Sequence, residues 1–149
     1  MARKEHWKDE PDAQDYPAAR NYLSLVTTDD HAKMLVEALE HAPIIRRYAK
    51  DLLRASRLQA LPSKNYHVAK DLKKVQKGQR LSPVLLVSLA PGAPLTIADG
   101  YHRICASYLL AEDTLIPCRL VHTGRGVTTP APKKASAPRP RPSRAKPRP

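Results

Sequence analysis

Phenylalanine is absent from the 149 residues, and tryptophan occurs once. Proteins that hold single-stranded nucleic acid on aromatic faces stack successive bases on exposed rings, so an aromatic platform of that kind is not expected. There are two cysteines, Cys105 and Cys118, and neither stands at metal-binding or redox spacing. That pattern offers no disulfide framework and fits a reducing, cytoplasmic setting. No clean membrane span exists either. The longest uncharged run, residues 81–98, is long enough but is broken by Pro83, Pro91, Gly92 and Pro94. Two strands joined by a turn account for it better than a transmembrane helix. The N-terminal residues contain no apolar stretch of the kind a secretory signal needs.

What is abundant is positive charge and proline. The chain carries a formal +12, with 26 Lys+Arg against 14 Asp+Glu, and 15 prolines. Of that charge, +8 falls in residues 125–149, which contain no acid, leaving +4 for the rest. The tail has almost no large apolar side chain and a proline every few residues, so it cannot offset the entropy of folding. It reads as an extended, disordered, basic arm over 124–149, partly polyproline II in character, suited to weak contact with nucleic acid.

Along the remaining chain, residues 1–14 are polar and read as a flexible N-terminus. Residues 15–60 read as a helical layer. One helix carries Tyr16, Ala19, Leu23 and Val26 on one face, and a second, capped by Thr28 or Asp29, carries Met34, Leu35, Ala38 and Leu39. A third is expected over 44–56 after Pro43, with Ile45, Tyr48 and Leu52 as its stripe and Arg46, Arg47, Lys50 and Arg54 on a basic face. Residues 61–123 then read as helix, strand, strand, helix, strand. Val68, Leu72 and Val75 face inward on the first helix, and Ile104, Tyr108 and Leu109 on the second. In the last strand Ile116, Cys118 and Leu120 share one face. The fold class is α+β, a mixed α/β domain with a small sheet.

The chemistry concentrates in "TIADGYHRICASYLL", residues 96–110. A strand ending in Asp99-Gly100 opens directly into a helix. The first N–H groups of a helix lack partners and its dipole makes that end positive, so such a turn suits an anion. Gly100 permits positive φ or close backbone approach. His102 and Arg103 in the first turn bring further donors, Arg103 with a fork that matches phosphate. Asp99 can cap the helix, hold His102 or meet a phosphate-bound metal. A capped Asp-Gly turn with exposed basic residues would look the same. The other histidines, His6, His31, His41, His67 and His122, form no ligand pattern and read as structural or exposed.

Three segments together resemble the ParB/sulfiredoxin superfamily, the ParB-like nuclease domain. "LSPVLLV" is similar to its proline-led strand, "IADGYHRICASYLL" to its Asp-Gly-x-His-Arg strand-turn-helix box, and "IPCRLV" to its closing strand. The resemblance covers residues 61–121. It implies a small mixed sheet with helices that binds nucleotide phosphates. Members include CTP-binding DNA-partition proteins, ATP-using sulfiredoxins and ADP-dependent serine kinases. Carried onto this chain, Gly100, Tyr101, His102 and Arg103 become phosphate-binding candidates. Lys64 and Asn65 are candidates ahead of the preceding helix, and Asp99 and His102 are the candidate catalytic groups. The implied ligand is a nucleoside di- or triphosphate with Mg²⁺, and the implied activity a phosphotransferase or nucleotide hydrolase. No protein-held metal site is assigned. Tyr101 stands where sulfiredoxins carry cysteine, and Gly-Tyr-His-Arg replaces the Gly-Glu-Arg-Arg of partition proteins, so neither of those activities is expected. Two alternatives stay open: a non-enzymatic nucleic-acid-associated protein that uses its 125–149 tail, and a scaffold that keeps the fold without the ligand. On the nucleotide reading, Arg103→Ala removes ligand binding and leaves the fold intact.

Overall fold

A computed structural model describes residues 6–123. The expected basic tail and residues 1–5 lie outside the described residues. The order is α1 (Asp15–Val26), α2 (Asp29–His41), β1 (Ile45–Tyr48), α3 (Ala49–Ser56), α4 (Tyr66–Gln76), β2 (Val84–Ser88), β3 (Thr96–Asp99), α5 (Tyr101–Leu110) and β4 (Leu115–His122). The sheet runs β1-β4-β2-β3, with β2 and β4 parallel and the two outer pairs antiparallel. This is the α+β class read from the sequence.

Strand β2 shows how the layers form. Its side chains alternate, and both sets are buried. Val84 and Leu86 join Trp7, Leu52, Val68, Ile104 and Ile116 on one face of the sheet. Leu85 and Val87 join Leu23, Leu35, Leu39 and Val121 on the other. A strand covered on both faces reads as a continuous apolar run, as VLLV does. Helices α1 and α2 therefore cover one face, and α3, α4 and α5 the other. Thr28 caps α2 by accepting the His31 amide at 3.1 Å. Asn65 caps α4, its side-chain oxygen accepting the amides of His67 at 3.0 Å and Val68 at 3.1 Å.

Three expectations need correction. Residues 44–56 are not one helix. Ile45–Tyr48 pairs antiparallel with β4, Ile45 opposite Cys118 and Tyr48 opposite Leu115, and the helix begins only at Ala49. The new start is stabilised from outside: the Ala49 and Lys50 amides donate to the carbonyls of Thr114 and Glu112 at 2.9 and 3.0 Å. Arg46 and Arg47 are thus on an edge strand while Lys50 and Arg54 are on a helix, and no shared basic helix face exists. Within 1–14, the part from His6 is tied to the sheet. Leu81 donates to the His6 carbonyl at 2.8 Å, Lys8 donates to Leu81 at 2.7 Å, and Trp7 is 2% exposed in the core. On α5 the inward residues are Ile104, Cys105 and Ala106, while Leu109 is 42% exposed.

Candidate functional site

Gly100 begins α5 with φ +113°. A methyl group added there would come within 2.8 Å of Val84 Cβ and 3.0 Å of Arg103 Nη2. The glycine is therefore demanded by its positive φ and by the close approach of the turn to β2. Asp99 does not cap the helix. Its carboxylate instead accepts from Arg103 Nη2 at 3.0 Å.

Arg103 is more committed than its sequence position suggests. Nε donates to the Ser82 carbonyl at 2.8 Å, and Nη2 to the Pro83 carbonyl at 3.2 Å as well as to Asp99. Asp15, from the start of α1, lies 3.8 Å from the same nitrogen and accepts from the Ser82 hydroxyl at 2.5 Å. Asp15, Asp99 and Arg103 side chains are 8, 18 and 17% exposed. The arginine is a partly buried clamp that ties α1 and the β2 entry to the α5 turn. Burial raises the Asp99 carboxyl above its ordinary range. The Arg103 charge opposes this, and the Asp15 carboxylate beside it adds to it. These contacts argue against the expectation that Arg103→Ala spares the fold, because the change leaves the buried Asp15 and the partly buried Asp99 carboxylates without their cation.

Beside this clamp a cleft of about 210 Å³ opens between α4 and α5, lined by His67, Lys70, Asp71, Lys74, Asp99, Gly100, His102 and Arg103. That is below the ~300–1,000 Å³ of whole-ligand pockets and suits one charged group. The rings of His67 and His102 stand 4.7 Å apart, centroid to centroid. Burial holds the His102 imidazole below its usual pKa. The His67 and Arg103 charges push the same way, and Asp71 pulls against them. Asp71 is buried, and that burial raises its carboxyl in spite of Arg103, Lys74 and both histidines nearby. Neither Lys70 nor Lys74 makes an ion pair among the described residues.

Of the residues expected at the site, Asp99, Gly100, His102 and Arg103 converge on this cleft. Tyr101 turns away, and its hydroxyl donates to the Gln59 carbonyl. Asn65 spends its side-chain oxygen on the α4 cap, and Lys64 is exposed outside the cleft lining. The sequence reading missed His67, Lys70, Asp71 and Lys74. They recur at three- and four-residue spacing, so they form one polar stripe of α4. That stripe was legible in "HVAKDLKK", but nothing in the sequence said that it faces the α5 turn. Asp15 and Ser82 were also missed, and only the tertiary fold brings them to Arg103. Cys105 and Cys118 are buried and unpaired with each other; Cys105 Sγ accepts the Leu61 amide at 3.4 Å, and burial pushes the Cys118 thiol up to about 11.

Among the described residues, no group of three or more His, Cys, Asp or Glu side chains is placed to hold a metal ion. Asp99, the group expected to meet a phosphate-bound metal, is paired with Arg103. No described helix is long and apolar enough to cross a membrane. No protein-family model, curated protein or solved structure matches the chain.

Proposed function

We propose that the α4–α5 cleft binds a phosphate group, and that the ligand is a nucleoside di- or triphosphate, the class implied by the resemblance to ParB-like domains. The observation that carries this reading is the convergence of Lys70, Lys74, His67 and His102 on the N-terminal end of α5, in a cleft whose arginine is already neutralised by aspartates. Two lysines without ion-pair partners among the described residues face a helix start that favours anions, and a phosphate would relieve their mutual repulsion. The phosphate-binding role thereby passes from Arg103 to the lysines and histidines, with Arg103 shaping the turn. If the domain also transfers or hydrolyses phosphate, the proton acceptor is Asp71 rather than Asp99, since Asp71 lies in the cleft free of the Arg103 bond.

The test is thermal unfolding of the full chain with nucleoside di- and triphosphates and with inorganic phosphate. At about 100 times the dissociation constant, binding raises stability by about 2.7 kcal/mol. Lys70→Gln with Lys74→Gln should weaken binding at least tenfold and leave the unliganded melting temperature unchanged. A wild-type chain that responds to none of these anions refutes the reading and favours the scaffold that keeps the fold without a ligand. Nucleic-acid contact through residues 125–149 is the second function class open to this chain, and it concerns residues outside the described part. Removal of the retained DNA by moderate salt, without loss of the nucleotide response, would separate the two.

A further inference from the structure

The start of α5 borders a second hollow besides the charged cleft. A mainly apolar groove of about 720 Å³ runs along β3, an edge strand of the sheet among the described residues. Tyr22 and Val26 of α1 line it, with Leu58 beyond α3, and these three side chains are 45, 45 and 44% exposed. Tyr101, which turns away from the cleft, lines the groove instead. Among the described residues, Asp99 and His102 are the only acidic or basic side chains in its lining. Apolar side chains left exposed around a concave surface mark a place where something binds.

We infer that the groove takes the nucleoside of the ligand whose phosphates enter the α4–α5 cleft, an inference that rests on the phosphate reading of that cleft. Three observations carry it. The first is continuity: Asp99, Gly100 and His102 line both hollows, so one ligand can occupy the two across the α5 turn. The second is size. The cleft, at about 210 Å³, suits one charged group, whereas the groove lies within the ~300–1,000 Å³ of whole-ligand pockets. The third is the division of charge. Lys70, Lys74 and His67 belong to the cleft alone, and beyond the shared residues the groove is uncharged. A ligand that is anionic at one end, and uncharged with apolar faces at the other, matches this pair of hollows. A nucleoside phosphate is such a ligand.

The register of β3 favours a ring over an added strand in this groove. Asp99 stands opposite Leu85 and Ile97 opposite Leu86, so Ala98 is an extra residue without a partner on β2. Such a bulge twists the edge and breaks the alternation of donors and acceptors that a further strand would need. Just before β3, the Leu95 amide is already spent on the Ala55 carbonyl at 2.9 Å. A nucleobase needs no repeating ladder. Its faces bury against apolar side chains, and its edge needs only a few single polar partners. Thr96, in the lining, carries a hydroxyl of that kind.

The experiment measures, by calorimetry on the full chain, the affinities of inorganic tripolyphosphate and of adenosine, guanosine, cytidine and uridine triphosphates. Tripolyphosphate carries at least as much charge, so the cleft alone gives the nucleotides no advantage. The expected result is that the best nucleotide binds at least about tenfold tighter than tripolyphosphate, which is about 1.4 kcal/mol and needs only roughly 55 Å² of apolar surface to be buried. Tyr22→Gln with Val26→Gln, exposed changes to a good helix former outside the cleft, should remove that advantage and leave tripolyphosphate affinity within about twofold. In the wild-type chain, the nucleotide and not tripolyphosphate should slow amide exchange over residues 95–99. Equal affinity of nucleotide and tripolyphosphate overturns the inference and leaves the phosphate reading of the cleft standing. Binding of neither refutes that reading, and the inference falls with it. Farnesyl diphosphate binding tighter than every nucleotide overturns the inference by making an alkyl chain the occupant. Protection of 95–99 that rises with protein concentration in the absence of ligand overturns it by placing a second copy there.

Discussion

Replacing Arg103 by alanine would leave the Asp99 and Asp15 carboxylates side by side in a part of the protein where they are 18 and 8% exposed. Removing one partner of a buried charge cluster costs about 3–5 kcal/mol. The residual exposure of Asp99 puts the expectation at the lower end, about 3 kcal/mol, a large share of the ~5–15 kcal/mol stability of an ordinary domain. The pH dependence follows from Asp99. Its folded-state pKa is already raised by burial, with Arg103 as the main opposing influence. A raised carboxyl contributes stability at acid pH that is lost as pH climbs through the folded-state value. Without Arg103 that value rises further, so the deficit of the variant is largest at pH 7 and shrinks toward pH 4.5. Urea unfolding can be followed by tryptophan fluorescence, because Trp7 is the single tryptophan and is 2% exposed when folded. The triple variant Asp15→Asn, Asp99→Asn, Arg103→Met should recover much of the loss, since it removes the stranded charges. A deficit under about 1 kcal/mol at pH 7, or one equal at both pH values, would refute the reasoning that a charge clamp holds this turn.

Gly100→Ala combines positive-φ strain of about 1–3 kcal/mol with overpacking against Val84 of about 1–3 kcal/mol. Gly78→Ala has the strain alone, because nothing lies within 4 Å of its added methyl. Equal losses in the same urea titration would show that Val84 does not crowd the turn. Phosphate affinity, measured by calorimetry, should rise as pH falls from 7.5 to 5.5. The His102 pKa is held low, so the ring is mostly neutral at pH 7, and a bound anion favours its protonated form. Affinity independent of pH in the wild type, or unchanged pH dependence in His102→Gln, would remove His102 from the anion site. Asn65→Ala should cost about 1 kcal/mol of stability through the lost α4 cap, with nucleotide affinity held within about twofold. A tenfold loss of affinity would restore Asn65 as a ligand-contacting group.

Composition and local pattern by themselves determined the class of this protein and most of its elements. The alternation in "IPCRLV", the branched run "VLLV" and the Asp99-Gly100 break announce strands and a strand-to-helix turn, because side-chain period and backbone freedom are local properties. The position of the candidate site, at the Gly100 start of α5, was legible for the same reason. Tertiary structure alone decided the rest. Ile45–Tyr48 became a strand because β4 offered it a partner, and pairing outweighed a helical apolar spacing that was also present. Trp7 entered the core through its bridge beside Leu81, a contact no window around residue 7 contains. The site changed most. Asp15 lies 88 positions from Arg103, yet it helps to turn that arginine from a free phosphate fork into an internal clamp. His67, Lys70, Asp71 and Lys74 were an ordinary polar helix face until α4 packed against α5. Local sequence sets which groups a segment carries. Which of them meet, and whether a charge is spent or left available, depends on distances between segments that only the packed chain defines.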